Sequence, residues 1–312
     1  MNYATLMVHL QVGQPNGAVL LAAAGLAERF EAGVIGVAAC QPIQLVYSDG
    51  YIAGDVFEKD REEKDREVAE AEATFRAAFP ARSNVPGHLL EWRSTVTLAP
   101  PCGWVAEQAR CADLVITGVA APADPFDPSR RVNTGELVMQ AGRPVLVVPH
   151  GADAPGPGHA KPDYAKPDHA KPGRTGTDPI GLDHAMIAWK DTRETRRAVL
   201  DALPLLQKLA KVSVVEVADR DGMADARAHV ADVTAWLGRH GVAASGQAVP
   251  SDGSNAVQLD AIARDWGADL VVAGAYGHSR VREWALGGVT RSLLLQQQPV
   301  LAAVALGRAA RH

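Results

Sequence analysis

Short apolar runs alternate with longer segments of helical periodicity along this chain. The same series of runs and segments is found in each half. The first half is predicted to contain strands at residues 5–10, 33–39 and 89–94 and helices at residues 16–30 and 57–78. The second half is predicted to contain strands at residues 185–189, 212–217 and 243–249 and helices at residues 194–209 and 225–240. Nearly continuous apolar strands are buried on both faces, as in a parallel sheet. The alternation therefore predicts doubly wound α/β domains with right-handed crossovers.

The two halves also share a local sequence pattern, which indicates an internal duplication. The segment CADLVITGV at residues 111–119 matches GADLVVAGA at residues 267–275. Each segment follows an alanine-containing helical stretch and precedes a strand that begins with Pro-Val, at Pro144 in the first half and at Pro299 in the second. These matches predict a fourth and a fifth strand in each half, and so two tandem five-stranded parallel sheets.

A change of composition separates the two halves. Residues 159–173 read HAKPD-YAKPD-HAKPG, and a proline at every fifth position prevents a continuous helix. The segment also has too little apolar surface to fold by itself. We therefore predict a first domain at residues 1–150, a flexible proline-rich linker at residues 151–180 and a second domain at residues 181–312.

The second domain carries a distinctive glycine pattern at residues 268–290. Gly274 closes the predicted strand, Gly277 follows three residues later, and Gly287 and Gly288 precede a helix-like segment. Glycines at such points let the backbone approach a ligand closely, and free N–H groups at a helix start attract negative oxygens. The layout is typical of a nucleotide phosphate cradle. A strand-to-helix connection with ordinary turn glycines explains it equally well.

The same glycines resemble the ATP-binding signature of the universal stress protein family. That signature has a glycine, two residues, a second glycine, nine residues, a third glycine and then Ser or Thr. Gly274, Gly277 and Gly287 are in register with it, Gly288 stands in the place of the hydroxyl residue, and Val289 and Thr290 continue the pattern. The resemblance extends over both halves, so the chain looks like a tandem member. It implies two adenine nucleotide alpha hydrolase-like, Rossmann-like domains, with the first and fourth strands of each flanking the ligand crevice.

The resemblance also implies which residues would hold the nucleotide. In the second domain, the end of the first strand, Ala188-Trp189-Lys190, and Val217 at the end of the second strand match positions that contact adenosine in the family. Lys190 takes the place of a family aspartate that helps to hold the metal, which weakens the expectation of bound magnesium. Lys190 either contacts phosphate or is solvated at the strand end. His278, inside the glycine loop, is expected to contact phosphate or to be exposed.

The first domain departs further from the family pattern. Gln11 replaces the early aspartate, and Ala121 stands where the second glycine belongs. Three prolines in the following loop remove backbone donors that a phosphate needs. Asn133 and the two residues after it are expected to cap the next helix. We therefore interpret this half as a degenerate copy that stabilises the assembly or receives a partner.

Composition narrows the choice of function further. A net charge of -5 and a pI near 6.1 argue against a nucleic-acid-binding surface. No run of eighteen apolar residues occurs, the first residues do not resemble a signal peptide, and three cysteines lack metal or redox spacing. We expect a cytoplasmic protein, away from membranes, in which Cys40, Cys102 and Cys111 are free thiols packed as small hydrophobes.

Two function hypotheses follow. In one, the chain is a non-catalytic stress-response factor that binds ATP or a related adenine nucleotide in its second domain and associates with an unidentified protein partner. In the other, it is a nucleotide-free interaction module of the same fold. The sequence lacks a Walker loop, a nucleophile elbow and a zinc-hydrolase helix, so we expect no enzymatic activity. We expect the two halves to pair through their apolar final strands, as an internal copy of the dimer that single-domain family members form.

Overall fold

The structure is a computed structural model, and it describes a defined part of the chain. The described residues are 2–43, 54–79, 89–119, 131–149, 182–275 and 300–303, without the side chains of residues 54–57 and 300–303. The predicted linker at residues 151–180 lies outside them, and the predicted domain boundaries therefore stay a prediction.

Five strands and four α-helices form in the described residues of the first half. The strands are β1 (Thr5–His9), β2 (Gly33–Cys40), β3 (Leu90–Val96), β4 (Leu114–Gly118) and β5 (Val145–Val148). The helices are α1 (Gly17–Phe30), α2 (Gly54–Ala78), α3 (Pro101–Gln108) and α4 (Thr134–Gln140). Helix α4 begins where the sequence predicts, because the Asn133 side chain accepts a hydrogen bond from the backbone N–H of Glu136.

The second half repeats this order. Its strands are β6 (His184–Trp189), β7 (Lys211–Ala218), β8 (Ala244–Pro250), β9 (Leu270–Gly274) and β10 (Val300–Ala303). Its described helices are α5 (Arg193–Leu206), α6 (Met223–Arg239) and α7 (Asn255–Asp265). The Thr192 hydroxyl caps α5 by accepting from the backbone N–H of Thr195. Every strand predicted from the hydrophobic pattern is present within two residues of its predicted ends.

All ten strands belong to one sheet, in the order β3-β2-β1-β4-β5-β10-β9-β6-β7-β8. Neighbouring strands are parallel within each half. Strand β5 and strand β10 are antiparallel and join the two halves, with Leu146 opposite Leu301. This order confirms the predicted doubly wound parallel arrangement in each half, and it shows that the two sets of five strands are joined in one continuous sheet. It also places the first and fourth strands of each half side by side.

Helices cover both faces of the sheet, and each apolar layer continues from one half into the other. One layer packs α1, α2, α5 and α6 against the sheet, and the opposite layer packs α3, α4 and α7. Polar contacts also cross between the halves. The Tyr3 hydroxyl donates to the backbone oxygen of Asp201 at 2.7 Å, and Lys208 Nζ lies 5.1 Å from the ring centroid of Phe30. The two halves are therefore packed as one unit.

The prediction that all three cysteines are buried was wrong for one of them. Cys40 and Cys102 are buried, whereas Cys111 is exposed. Cys111 ends a single 3-10 turn that carries the chain from α3 to β4, and within this turn only Ala109 is buried. Burial, with a smaller contribution from Glu136, raises the pKa of the Cys102 thiol to about 12. All three thiols are free, as expected.

The antiparallel seam predicts the outcome of a crosslinking experiment. With Cys111→Ser as background, Val147→Cys combined with Val300→Cys is expected to give a disulfide within one chain, because register partners in an antiparallel pair are about 4.5–5.5 Å apart. Non-reducing electrophoresis and gel filtration would detect it, with each single cysteine variant as control. A disulfide that joins only different chains would show instead that the seam is intermolecular.

Candidate functional site

Each half of the sheet has a crevice at the carboxyl ends of its strands. The strand order reverses between β1 and β4 in the first half and between β6 and β9 in the second. In open α/β sheets ligands bind at such reversal points. The two crevices are built from the same elements, so their side chains can be compared position by position.

The floor of the second crevice is small and apolar. Ala188 near the end of β6 and Val217 near the end of β7 lie in the same apolar layer, and both are buried. Ala273 on β9 is the register partner of Ala188 and belongs to that layer too. The structure thus brings the predicted residues Ala188 and Val217 together. Trp189 packs in the opposite layer, because successive strand residues face opposite sides of the sheet.

Lys190 lies directly after β6 and is engaged by a buried carboxylate. Its Nζ is 3.9 Å from Oε1 of Glu216, whose side chain is only 3% exposed. The other oxygen of Glu216 is 3.2 Å from Nδ1 of His229 on α6. Neither Glu216 nor His229 was predicted as a site residue from the sequence. The signal was available, since Glu216 is a charged residue inside the otherwise apolar run VVEVA of β7.

Gly274 ends β9 against the first turn of α5. A Cβ at this position would lie 2.5 Å from the backbone nitrogen of Thr195 and 2.7 Å from its Oγ1. Close packing of strand on helix therefore requires a glycine here, whatever ligand binds nearby. The remaining predicted loop residues, Gly277, His278, Gly287, Gly288, Val289 and Thr290, lie outside the described residues.

Polar residues occupy the same floor in the first half. His9 takes the position of Ala188, and Thr117 takes that of Ala273 in the matched segments. Nδ1 of His9 lies 2.9 Å from the Thr117 hydroxyl, and both side chains are buried. An imidazole and a hydroxyl group thus stand in the first half where the second half has two methyl side chains.

Gln11 follows β1 as Lys190 follows β6. Its side-chain amide donates to the backbone oxygen of Gly118 at 3.2 Å, and the side chain is 6% exposed. Neither Oε1 of Gln11 nor Nε2 of His9 has a hydrogen-bond partner within the part of the chain that the structure describes.

Burial lowers the pKa of His9 from its ordinary 6.5 to about 4. Between these two values the unfolded chain binds more protons than the folded one, so stability is lost as the pH falls from 6.5 toward 4. At about 1.4 kcal/mol per pKa unit the loss from His9 is roughly 3 kcal/mol. His9→Gln is expected to make the decline in unfolding free energy shallower over this range, as measured by urea denaturation at several pH values. An unchanged slope would contradict the burial of a neutral imidazole.

The described residues were compared with the requirements of a metal site and of a membrane-spanning helix. Among them, no three His, Cys, Asp or Glu side chains are grouped closely enough to hold a metal ion. No helix in the same residues is both long and apolar enough to cross a membrane.

Comparisons with known proteins show a shared architecture. No protein-family model matches the sequence, and no relative is found among curated proteins. A universal stress protein from Archaeoglobus fulgidus DSM 4304 superposes with a TM-score of 0.65 at 13% identity, over 96% of each chain. A putative universal stress protein from Pseudomonas aeruginosa UCBPP-PA14 superposes with a TM-score of 0.53 at 13% identity, over 97% of this chain and 93% of the other.

A third solved structure has the same two-domain architecture. It is a functionally unknown protein from Pseudomonas aeruginosa PAO1, with a TM-score of 0.54 at 13% identity, over 97% of this chain and 92% of the other. These three likenesses extend over both halves of the chain. At such low identity they show a common fold.

Proposed function

We infer that this chain, which has the tandem fold of the universal stress proteins, is a non-catalytic stress-response factor whose second half binds an adenine nucleotide such as ATP. The observation that carries this inference is the small apolar floor formed by Ala188, Val217 and Ala273 at the strand-order reversal. A flat base needs an apolar surface that no side chain already fills.

The difference between the two halves supports binding in the second half. His9 and Thr117 place an imidazole and a hydroxyl group on the floor of the first crevice, whereas Ala188 and Ala273 place only methyl groups on the floor of the second crevice. The glycine pattern from Gly274 to Gly287, identified in the sequence, would bring backbone donors to the phosphates beyond that floor. The proposal therefore assigns the base to residues of β6, β7 and β9 and the phosphates to the loop after β9.

The residues present do not fit a magnesium ion. Lys190 stands at the place where the family has its aspartate, and the next carboxylate, Asp191, accepts a hydrogen bond from Arg196 at 3.0 Å. Magnesium is bound through carboxylates, phosphates and water in octahedral geometry, and a lysine repels it. We accordingly assign no metal to this site, and the phosphate charge is offset by Lys190.

A nucleotide-free interaction module of the same fold is the second candidate, and two contacts favour it. Lys190 is already engaged by Glu216, and Gly274 is required for packing on α5. Both features would exist in a protein that never binds a nucleotide. Only a binding measurement separates the two candidates.

Mass spectrometry of small molecules released from the purified full-length protein, followed by calorimetry with ATP, tests the proposal. Gly277→Val is expected to abolish binding, because a β-branched residue blocks close approach of the loop to phosphate. Gly238→Ala is the matched control, since a Cβ there meets nothing within 4 Å. Binding is expected to persist in EDTA. Wild-type affinity in the Gly277→Val protein would refute the assignment of the loop.

A further inference from the structure

A polar cavity of about 90 Å³ lies in the first half, at the carboxyl ends of β1 and β2. Helix α2 closes one side with Lys64 and Glu67, and Arg131 and Val132 close another. Its volume equals that of about three water molecules in the liquid. Nucleotide-sized ligands need several hundred cubic ångströms. The cavity is therefore suited to a much smaller molecule than the one assigned to the second half.

The inner wall of the cavity contains the two unsatisfied polar groups. His9 and Gln11 both line it, and His9 Nε2 and Gln11 Oε1 lack hydrogen-bond partners among the described residues. Leaving such groups unpaired in a protein interior is costly, and unsatisfied groups call for a specific explanation. The last torsion of a glutamine rotates with little preference, so the Gln11 amide can turn toward a guest molecule. A hydroxyl group, which both donates and accepts, complements the amide oxygen and either tautomer of the neutral imidazole.

The rim of the cavity carries charge. Lys64 Nζ and Glu67 Oε2 are 2.6 Å apart and largely shielded from solvent. Glu67 also packs on Gly13, where a Cβ would lie 3.1 Å from Oε2 and where φ is +69°. Arg131 adds a second cation to the lining. The charged lining residues therefore sum to one positive charge, which favours a singly charged anion.

We propose that this first-half cavity binds a small hydroxy acid. Its hydroxyl group lies between Gln11 and His9, and its carboxylate lies at the rim with Lys64 and Arg131. The binding uses no residue of the second half, so it is independent of nucleotide binding there. A ligand of about five non-hydrogen atoms is expected to bind with a Kd in the millimolar range.

Titration of the full-length chain with glycolate tests the proposal, by calorimetry and by NMR of protein labelled with 15N at histidine. Glycolate is expected to shift the ring signals of His9 and not those of His184. Acetate, which lacks the hydroxyl group, and glycerol, which lacks the carboxylate, are each expected to bind at least tenfold more weakly. ATP affinity of the second half is measured in the same samples.

Variants locate the site. Gln11→Leu and Lys64→Met are each expected to weaken glycolate binding at least fivefold, with ATP affinity unchanged. Lys59→Met, on the exposed side of α2 and outside the cavity lining, is the control and is expected to bind as the wild type does. Lys64→Met keeps the test valid if Gln11→Leu does not fold. Equal affinity for acetate and glycolate, wild-type affinity in both variants, or absence of saturable glycolate binding would overturn the proposal.

Discussion

Combined replacement of Ala188 by His and Ala273 by Thr is expected to weaken nucleotide binding by the second half at least 100-fold. The double variant reproduces the buried His9–Thr117 pair of the first half, in which His9 Nδ1 lies 2.9 Å from Thr117 Oγ1. An imidazole at position 188 occupies the volume that we assign to the base. A 100-fold loss corresponds to about 2.7 kcal/mol of binding free energy. Calorimetry with ATP measures it.

The chain supplies a matched control for this variant. The reverse change, His9→Ala with Thr117→Ala, removes the pair from the first half and is expected to leave ATP affinity unchanged. Overpacking in the Ala188→His, Ala273→Thr protein costs about 1–3 kcal/mol of stability. The reverse variant loses stability through the cavity that it leaves, so the stability of both proteins is also measured by thermal unfolding. A folded Ala188→His, Ala273→Thr protein that binds ATP with wild-type affinity would place the base elsewhere.

Gly274→Val is expected to lower the free energy of unfolding by about 3 kcal/mol or more. The new side chain would start 2.5 Å from the backbone nitrogen of Thr195, so strand β9 and helix α5 must move apart. Overpacking against backbone is at the severe end of single substitutions. Urea denaturation measures the loss.

The control for Gly274→Val is again Gly238→Ala. Position 238 is helical and open, so alanine there is expected to be neutral or to stabilise by up to about 1 kcal/mol. A Gly274→Val protein as stable as the wild type would mean that this glycine is dispensable for packing, and its presence would then favour the ligand explanation.

Much of the fold could be predicted from the sequence, because the hydrophobic pattern depends on local spacing. The hydrophobic pattern is less accurate for helix ends. Helix α5 is an example, because its predicted end at residue 209 lies three residues beyond the observed end at Leu206. The family resemblance predicted that the first and fourth strands of each half flank the crevice and that the final strands pair, and the structure confirms both arrangements.

The candidate site was less predictable, because its chemistry arises between strands that are distant in sequence. Ala188 and Val217 were identified as neighbours of the base, and they do share one apolar layer. The contact of His9 with Thr117 joins residues 108 positions apart, and only the strand register brings them together. Burial of the Glu216 carboxylate beneath Lys190 depends in the same way on the pairing of β6 with β7.

The antiparallel seam between β5 and β10 reverses strand direction in the middle of the sheet. Strands of the first half therefore end at one edge of the molecule, and strands of the second half end at the opposite edge. The two crevices consequently face away from each other, related by a pseudo-twofold axis perpendicular to the sheet. A macromolecule that covers one end leaves the other accessible. A molecule bound in one crevice therefore does not contact a molecule bound in the other.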